Sequence, residues 1–270
     1  MTDWLAIRRG EAPLVLTVPH AGTWLPDELA GRFTSLWQAR KDADWYVDRL
    51  YRFAQELDAT VIATPVSRSV IDVNRDPGGA SLYPGQATTG LCPLTDFDGT
   101  ALYVEGQEPD GEEIARRRSI WFDPYHSAVE SELARLRERH ARVVLYDAHS
   151  IRSHVPRLFE GALPLFNIGT NGGASCDPAL AEAVVGPCAA SGETWVLDGR
   201  FRGGWTTRHY GRPTEGIHAV QMELAMRGYL AEPDAFAPDC WPAPYDPAGA
   251  EALRPTLCAV LQSCLNWTTT

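Results

Sequence analysis

The sequence predicts an α/β fold built on a mainly parallel sheet, and three observations carry the prediction. Short apolar runs bounded by turn signals recur at residues 14–20, 60–63 and 143–149, and runs of that length read as buried strands. Between them lie longer stretches whose apolar residues fall three and four apart, which is the helical period. The two kinds of segment alternate along the chain, the order of a parallel sheet covered by helices.

Taken in order, the first strand is Leu14-Val15-Leu16-Thr17-Val18-Pro19-His20, which closes on a histidine. Residues 42–57 read as an amphipathic helix, with Val47, Leu50, Tyr51, Ala54 and Leu57 on one face and Asp42 or Asp44 able to cap its start. Residues 60–63 form a second strand and residues 69–75 a third, ending in polar groups. The stretch 80–110 is rich in Gly, Pro, Thr and Asp without helical period. It reads as a long excursion over the sheet, of the kind that carries function. A long helix is expected over 112–140, lined by Trp121, Tyr125, Ala128, Val129, Leu133 and Leu136, with a kink or fresh start at Asp123-Pro124. The strand 143–149 closes on His149, and short runs follow near 164–168 and 194–197. A Gly-rich turn at Gly203-Gly204 leads to residues 218–224, which alternate like a strand. Residues 248–265 look like a closing helix, with Pro255 near its start.

No Gly/Ser/Pro linker or charge block divides the 270 residues, so one domain spanning 1–270 is expected, long enough to bury a substantial core. The 24 basic and 35 acidic residues leave a net charge of −11, which disfavours a nucleic-acid backbone as partner while allowing a local basic pocket. The six cysteines show no C-x-x-C pair and read as free thiols of a reducing compartment. The start, Met1-Thr2-Asp3-Trp4, carries no secretory pattern. Nor does any apolar stretch approach the roughly 20 residues of a membrane helix. A cytoplasmic protein without a membrane partner is expected.

In open α/β sheets ligands bind outside the carboxyl ends of the strands. His20 and His149 both reach that rim, and two imidazoles there suggest a metal site of hydrolytic type. Such a site usually takes three protein ligands and leaves a position for water. Asp44 is placed to be the third ligand, or alternatively a plain helix cap; Asp48, one turn later, is the fallback. Asp147, two residues before His149, shares its face and could hold a ligating imidazole by a hydrogen bond. Glu223 lies inside an apolar strand. Burial would give it the raised pKa of a general base, unless it faces solvent. Arg75 beside Asn74 could clamp a substrate carboxylate; Arg68, Arg152 and Arg208 sit in similarly polar turns and read equally as surface residues. His126, on the long helix, could face core or site. The cluster Gly203-Gly204-Trp205-Thr206-Thr207-Arg208-His209-Tyr210-Gly211 could be a loop that contacts a small polar ligand. Phosphate-loop, dinucleotide and nucleophile-elbow signatures are missing, which disfavours nucleotide and serine chemistry.

Several segments, in order, resemble the N-formylglutamate amidohydrolases. They are Val18-Pro19-His20-Ala21-Gly22, Asp42-Ala43-Asp44-Trp45, Ser67-Arg68-Ser69-Val70-Ile71-Asp72-Val73-Asn74-Arg75, Thr88-Thr89-Gly90-Leu91 and Pro124-Tyr125-His126. The series continues through Tyr146-Asp147-Ala148-His149-Ser150-Ile151-Arg152-Ser153, Phe166-Asn167-Ile168-Gly169-Thr170 and Gly199-Arg200-Phe201-Arg202-Gly203-Gly204. It closes with Thr207-Arg208-His209-Tyr210-Gly211 and His218-Ala219-Val220-Gln221-Met222-Glu223-Leu224, so that the resemblance runs from about residue 14 to residue 230.

The resemblance implies a single-domain, three-layer phosphorylase/hydrolase-like fold with a mainly parallel mixed sheet, related to zinc carboxypeptidases. It implies metal-dependent hydrolysis of N-formyl-L-glutamate to formate and L-glutamate, a step of histidine degradation. By position, His20, Asp44 and His149 would hold one divalent metal, zinc first among Zn²⁺, Fe²⁺, Co²⁺ and Mn²⁺, and Glu223 would act as base and then acid. Asn74 and Arg75 would meet a substrate carboxylate, with Arg208, Gly204, Thr206 and Thr207 enclosing the rest. Tyr46 departs from the family, which often has His there. Two other readings stay open: the same site acting on another N-acylamino acid or small peptide amide, and a metal- or ligand-binding module without catalysis. Glu223 speaks against the second, since a pure binding site needs no base. The residues leave the oligomeric state open.

Overall fold

A computed structural model describes residues 4–81, 85 and 88–269. Seven strands form one mixed sheet: β1 (Ala6–Arg8), β2 (Leu14–Val18), β3 (Thr60–Ala63), β4 (Val143–Ile151), β5 (Phe166–Gly169), β6 (Trp195–Leu197) and β7 (Ile217–Ala225). Their order across the sheet is β1-β3-β2-β4-β7-β5-β6. The central strands β3, β2, β4 and β7 run parallel; β1 pairs with β3, and β5 with β7, antiparallel. The carboxyl ends of the four parallel strands therefore lie along one rim.

Both faces of the sheet are covered, which is why its central strands read as unbroken apolar runs. On one face Leu14, Leu16, Val144, Tyr146, Val220 and Met222 pack with the helices α5 (Pro178–Ala190) and α7 (Pro247–Thr268). On the other, Val15, Val143, Leu145 and Ala219 pack with α4 (Asp123–Arg137). This second face changes character along its length. Near the start of β4 and β7 it is apolar, and further on it presents Asp147 and His149 from β4 and Gln221 and Glu223 from β7.

Several sequence expectations need correction. Residues 69–75 are no strand: the Asp72 carboxylate accepts the Asn74 backbone N–H at 2.9 Å, a local turn that competes with strand pairing. The helix expected over 42–57 is only α2 (Val47–Leu50) followed by a 3₁₀ segment (Arg52–Leu57), because Tyr46 enters α2 in the left-handed region, with φ of 62°. The long helix is two, α3 (Gly111–Arg117) and α4, joined by a π segment (Arg118–Phe122), with Pro124 in the first turn of α4. The 203–211 cluster holds a short helix, α6 (Trp205–Tyr210), rather than a loop. Three elements were not legible: β1, α1 (Asp27–Ala30) and α5, although Asp177 followed by Pro178 is a capping signal for the last. Of the expected excursion 80–110, residues 82–84, 86 and 87 lie outside the described residues; its described part is irregular. Among the described residues no helix is long and apolar enough to cross a membrane.

The turn after β2 is fixed by a close backbone approach. A Cβ at Gly22 would sit 2.3 Å from the Pro65 carbonyl carbon and 2.5 Å from the Thr64 oxygen, and backbone cannot yield as a flexible side chain can. Gly22→Ala is therefore expected to cost about 1–3 kcal/mol, read as a lower urea midpoint; an unchanged midpoint would contradict this packing.

Candidate metal centre

His20 stands two residues beyond β2, after Pro19. Asp147 and His149 share one face of β4, and Gln221 and Glu223 one face of β7, since residues two apart on a strand point the same way. Parallel pairing sets Asp147 opposite Gln221 and His149 opposite Glu223. Asp44 arrives from the turn ahead of α2, where its backbone N–H donates to the His20 carbonyl at 2.9 Å. Its carboxylate is drawn to the rim and does not cap α2.

The three side chains converge. Asp44 Oδ2 lies 3.1 Å from His149 Nδ1 and 3.8 Å from His20 Nδ1. Each of the three residues offers one ligand atom within 4.8 Å of the others, and all three are buried. The far nitrogens are held by carboxylates: His20 Nε2 lies 2.7 Å from Asp72 Oδ1, and His149 Nε2 lies 2.8 Å from Asp147 Oδ2. An ionised carboxylate only accepts, so the His20 proton belongs on Nε2 and its lone pair on Nδ1; both His149 nitrogens face a carboxylate, Asp147 and Asp44, and a cation between His149 and Asp44 would displace the proton they share. His20 Nδ1 is buried with no hydrogen-bond partner. An orphaned lone pair beside a second imidazole and a carboxylate fits a divalent cation, and two nitrogens with one oxygen is a donor set such ions take.

The charge balance points the same way. Asp44, Asp72, Asp147 and Glu223 are buried together, and buried charges must be paired or bind metal. Arg68 answers two of them, donating to Asp72 Oδ2 at 2.7 Å and to Asp44 Oδ1 at 3.4 Å. Burial alone would raise both carboxyls, but Arg75, His20 and Arg68 hold Asp72 well below the usual range, and His149, His20 and Arg68 hold Asp44 below it. Burial lowers His20, as does the Arg68 charge. Burial would also lower His149, yet the Asp147 carboxylate carries it well above its ordinary value. Glu223 is pushed up to about 7, chiefly by burial, against the pull of His149.

Asn74 ties the centre together. Its Nδ2 donates to Asp147 Oδ2 at 3.2 Å and its Oδ1 accepts the Thr206 backbone N–H at 2.8 Å, which fixes the amide orientation. The α6 backbone approaches so closely that a Cβ at Gly204 would lie 2.3 Å from Asn74 Nδ2. Asp147 takes a further hydrogen bond from the Thr17 hydroxyl at 2.6 Å.

A cleft opens over these groups, bordered by His20, His149, Gln221 and Glu223, by Asn74 and Gly204, and by Arg68, Arg75 and Arg200. Phe97, Ile151, Leu158 and Phe201 supply apolar wall. Arg75 is anchored by the Thr89 carbonyl and hydroxyl, both at 3.1 Å, with Asp72 3.6 Å away. Thr206 and Thr207 are buried without bordering the cleft, and Arg208 turns its Nε to the Gly203 carbonyl. Arg152 is held by Asp42 and Asp98 at 3.2 and 3.0 Å, away from the ligand group. Asp48 is exposed and outside it: α2 begins only at Val47, so no helical turn spans 44 to 48 and the spacing that made Asp48 a fallback ligand does not apply. Asp72, Gln221 and Arg200 were not singled out from sequence. Asp72, like Glu223, is a carboxylate inside an apolar run.

His126 faces the core. Its Nε2 donates to the Val73 carbonyl at 2.8 Å and its Nδ1 meets the Tyr210 hydroxyl at 3.0 Å, which pins the turn that carries Asp72 and Asn74. Burial depresses its pKa from 6.5 to about 3. The unfolded chain then binds a proton that the native one refuses, so stability is lost as pH falls from the ordinary value toward the folded one. His126→Gln removes this contribution, and the stability gap between wild type and variant is expected to close with falling pH, by up to about 1.4 kcal/mol per unit. Denaturant titrations between pH 7 and pH 5 would show it; parallel curves would contradict it.

Known proteins share this architecture. The family model described as N-formylglutamate amidohydrolase matches residues 12–230. The N-formylglutamate deformylase of Pseudomonas aeruginosa is 47% identical over 268 residues, covering 99% of this chain and 98% of its own. The enzyme of the same name from Pseudomonas putida is 46% identical, covering 99% and 97%. The crystal structure of an N-formylglutamate amidohydrolase from Ralstonia eutropha JMP134 shares the fold, with a TM-score of 0.80 at 22% identity over 98% of both chains. With a model match across most of its length and relatives near half identity end to end, the chain belongs to the N-formylglutamate amidohydrolase family.

Proposed function

We infer that this protein hydrolyses N-formyl-L-glutamate to formate and L-glutamate. The observation that carries the reading is the convergence of His20, Asp44 and His149 beneath an arginine-bordered cleft that also holds a buried glutamate. It is supported by near-full-length relatives that carry the deformylase name.

We propose that His20 Nδ1, His149 Nδ1 and the Asp44 carboxylate hold one divalent ion, Zn²⁺, in an open three-ligand site. When bound, that ion supplies Lewis-acid polarisation of the formyl carbonyl and acidifies water toward a pKa of roughly 7. Asp72 and Asp147 keep the two imidazoles in the tautomer and orientation that ligation needs. Glu223 takes a proton from water as the water oxygen adds to the formyl carbon. The proton then passes to the amide nitrogen as the C–N bond breaks, so formate and the free amine leave. A raised pKa suits both halves of that exchange.

The formyl group is too small to carry recognition, so selectivity falls to the glutamate end. Arg68 is committed to Asp44 and Asp72. Arg75 and Arg200, both on the border of the cleft, are proposed to receive the two carboxylates, with Leu158 and Phe201 against the methylenes.

The test is formate release from N-formyl-L-glutamate beside acetate release from N-acetyl-L-glutamate and N-acetyl-L-aspartate. Preference for the formyl substrate, abolished by chelation and restored by Zn²⁺, is expected; faster turnover of either acetyl compound would overturn the substrate. Glu223→Gln should keep its metal and lose about 10²–10⁴-fold in kcat, so near-normal kcat would remove its role. Asp72→Asn should weaken Zn²⁺ affinity about 10–100-fold in a chelator competition, and unaltered affinity would contradict the bracing of His20.

A further inference from the structure

Gln221 lies two residues before Glu223 on β7, buried on the same face and bordering the same cleft. Its Oε1 lies 2.7 Å from the Gly204 backbone nitrogen, and its Nε2 lies 3.1 Å from Glu223 Oε2. A backbone N–H can only donate, so the atom facing Gly204 must be the amide oxygen. The amide nitrogen then points at Glu223 and donates to Oε2. Gly204 itself cannot shift freely, since Asn74 fills the space where a side chain would stand and holds the next turn through Thr206. The orientation of the Gln221 amide is thus dictated by backbone.

We propose that Gln221 is a positioning residue for Glu223: it ties down Oε2 and leaves Oε1 as the oxygen that handles the proton of the reacting water. A carboxylate on a flexible stem can otherwise rotate either oxygen toward the reacting atoms, and a fixed second hydrogen bond removes that freedom. The inference rests on the proposed role of Glu223 as base.

Two substitutions separate positioning from scaffolding. Gln221→Glu keeps an acceptor for the Gly204 N–H but replaces the fixed amide donor by a carboxyl that competes with Glu223 for one shared proton, since two buried carboxylates this close do not both ionise. Gln221→Met loses both. If the donor positions the base, Gln221→Glu lowers kcat for N-formyl-L-glutamate by about 10–100-fold, while KM and bound Zn²⁺ stay at wild-type values. Gln221→Glu with wild-type kcat would overturn the proposal. So would a Gln221→Met that raises KM alone, since the side chain would then serve only the Gly204 segment. Inactivity of the wild type on this substrate would instead overturn the deformylase reading. The contact is still tested there by a double-mutant cycle of Gln221→Met and Glu223→Gln on the unfolding midpoint: a non-additive shift is expected, and strict additivity would contradict the link.

Discussion

The centre depends on one repeated interaction, a buried carboxylate gripping the far nitrogen of an imidazole. Asp72 does this for His20 and Asp147 for His149. Each grip orients a ring, and together they turn two Nδ1 atoms toward Asp44. Buried carboxylates need such partners. Asp72 has Arg68 and Arg75 as well as His20; Asp147 has Thr17 and Asn74 as well as His149. Each carboxylate is therefore held by more than its histidine, and each histidine by a carboxylate that is itself fixed in place.

The fold serves this arrangement by changing one face of the sheet along its length. Alternation on β4 and β7 places Val143, Leu145 and Ala219 against α4, then Asp147, His149, Gln221 and Glu223 under the cleft. The opposite face stays apolar throughout, packed by α5 and α7. A strand buried on both sides can then carry chemistry on one side without exposing its backbone. Asn74 and Gly204 lock the remaining wall by contact rather than by charge, and His126 holds the turn from behind through the Val73 carbonyl.

Much of this was legible in the sequence, for identifiable reasons. His20 and His149 end apolar runs, and strand ends at one rim are a fixed feature of parallel sheets. Asp147 followed from strand period alone. Asp44 was readable only as one of two options, since capping and ligation ask for the same residue type. Asp48 lies one helical turn on in sequence, but the left-handed backbone at Tyr46 breaks the helix that would bring it alongside Asp44. Asp72 was hidden inside a run that imitates a strand and is a turn. Arg200 and Gln221 could not be separated by pattern from other polar residues: their positions are set by long-range packing, β7 against α6 for one and the cleft wall for the other. Family resemblance placed the cluster around Arg208 near the substrate, yet only its Gly204 end borders the cleft.

The central claim is that the two Nδ1 atoms and the Asp44 carboxylate form a cation site whose geometry is set from behind by Asp72 and Asp147. Anomalous diffraction at the zinc edge, from crystals equilibrated with one equivalent of Zn²⁺, tests it directly. A single strong peak is expected, bounded by His20 Nδ1, His149 Nδ1 and the Asp44 carboxylate, with both Nε2 atoms still on their carboxylates. A peak elsewhere, or ligation through either Nε2, would contradict it.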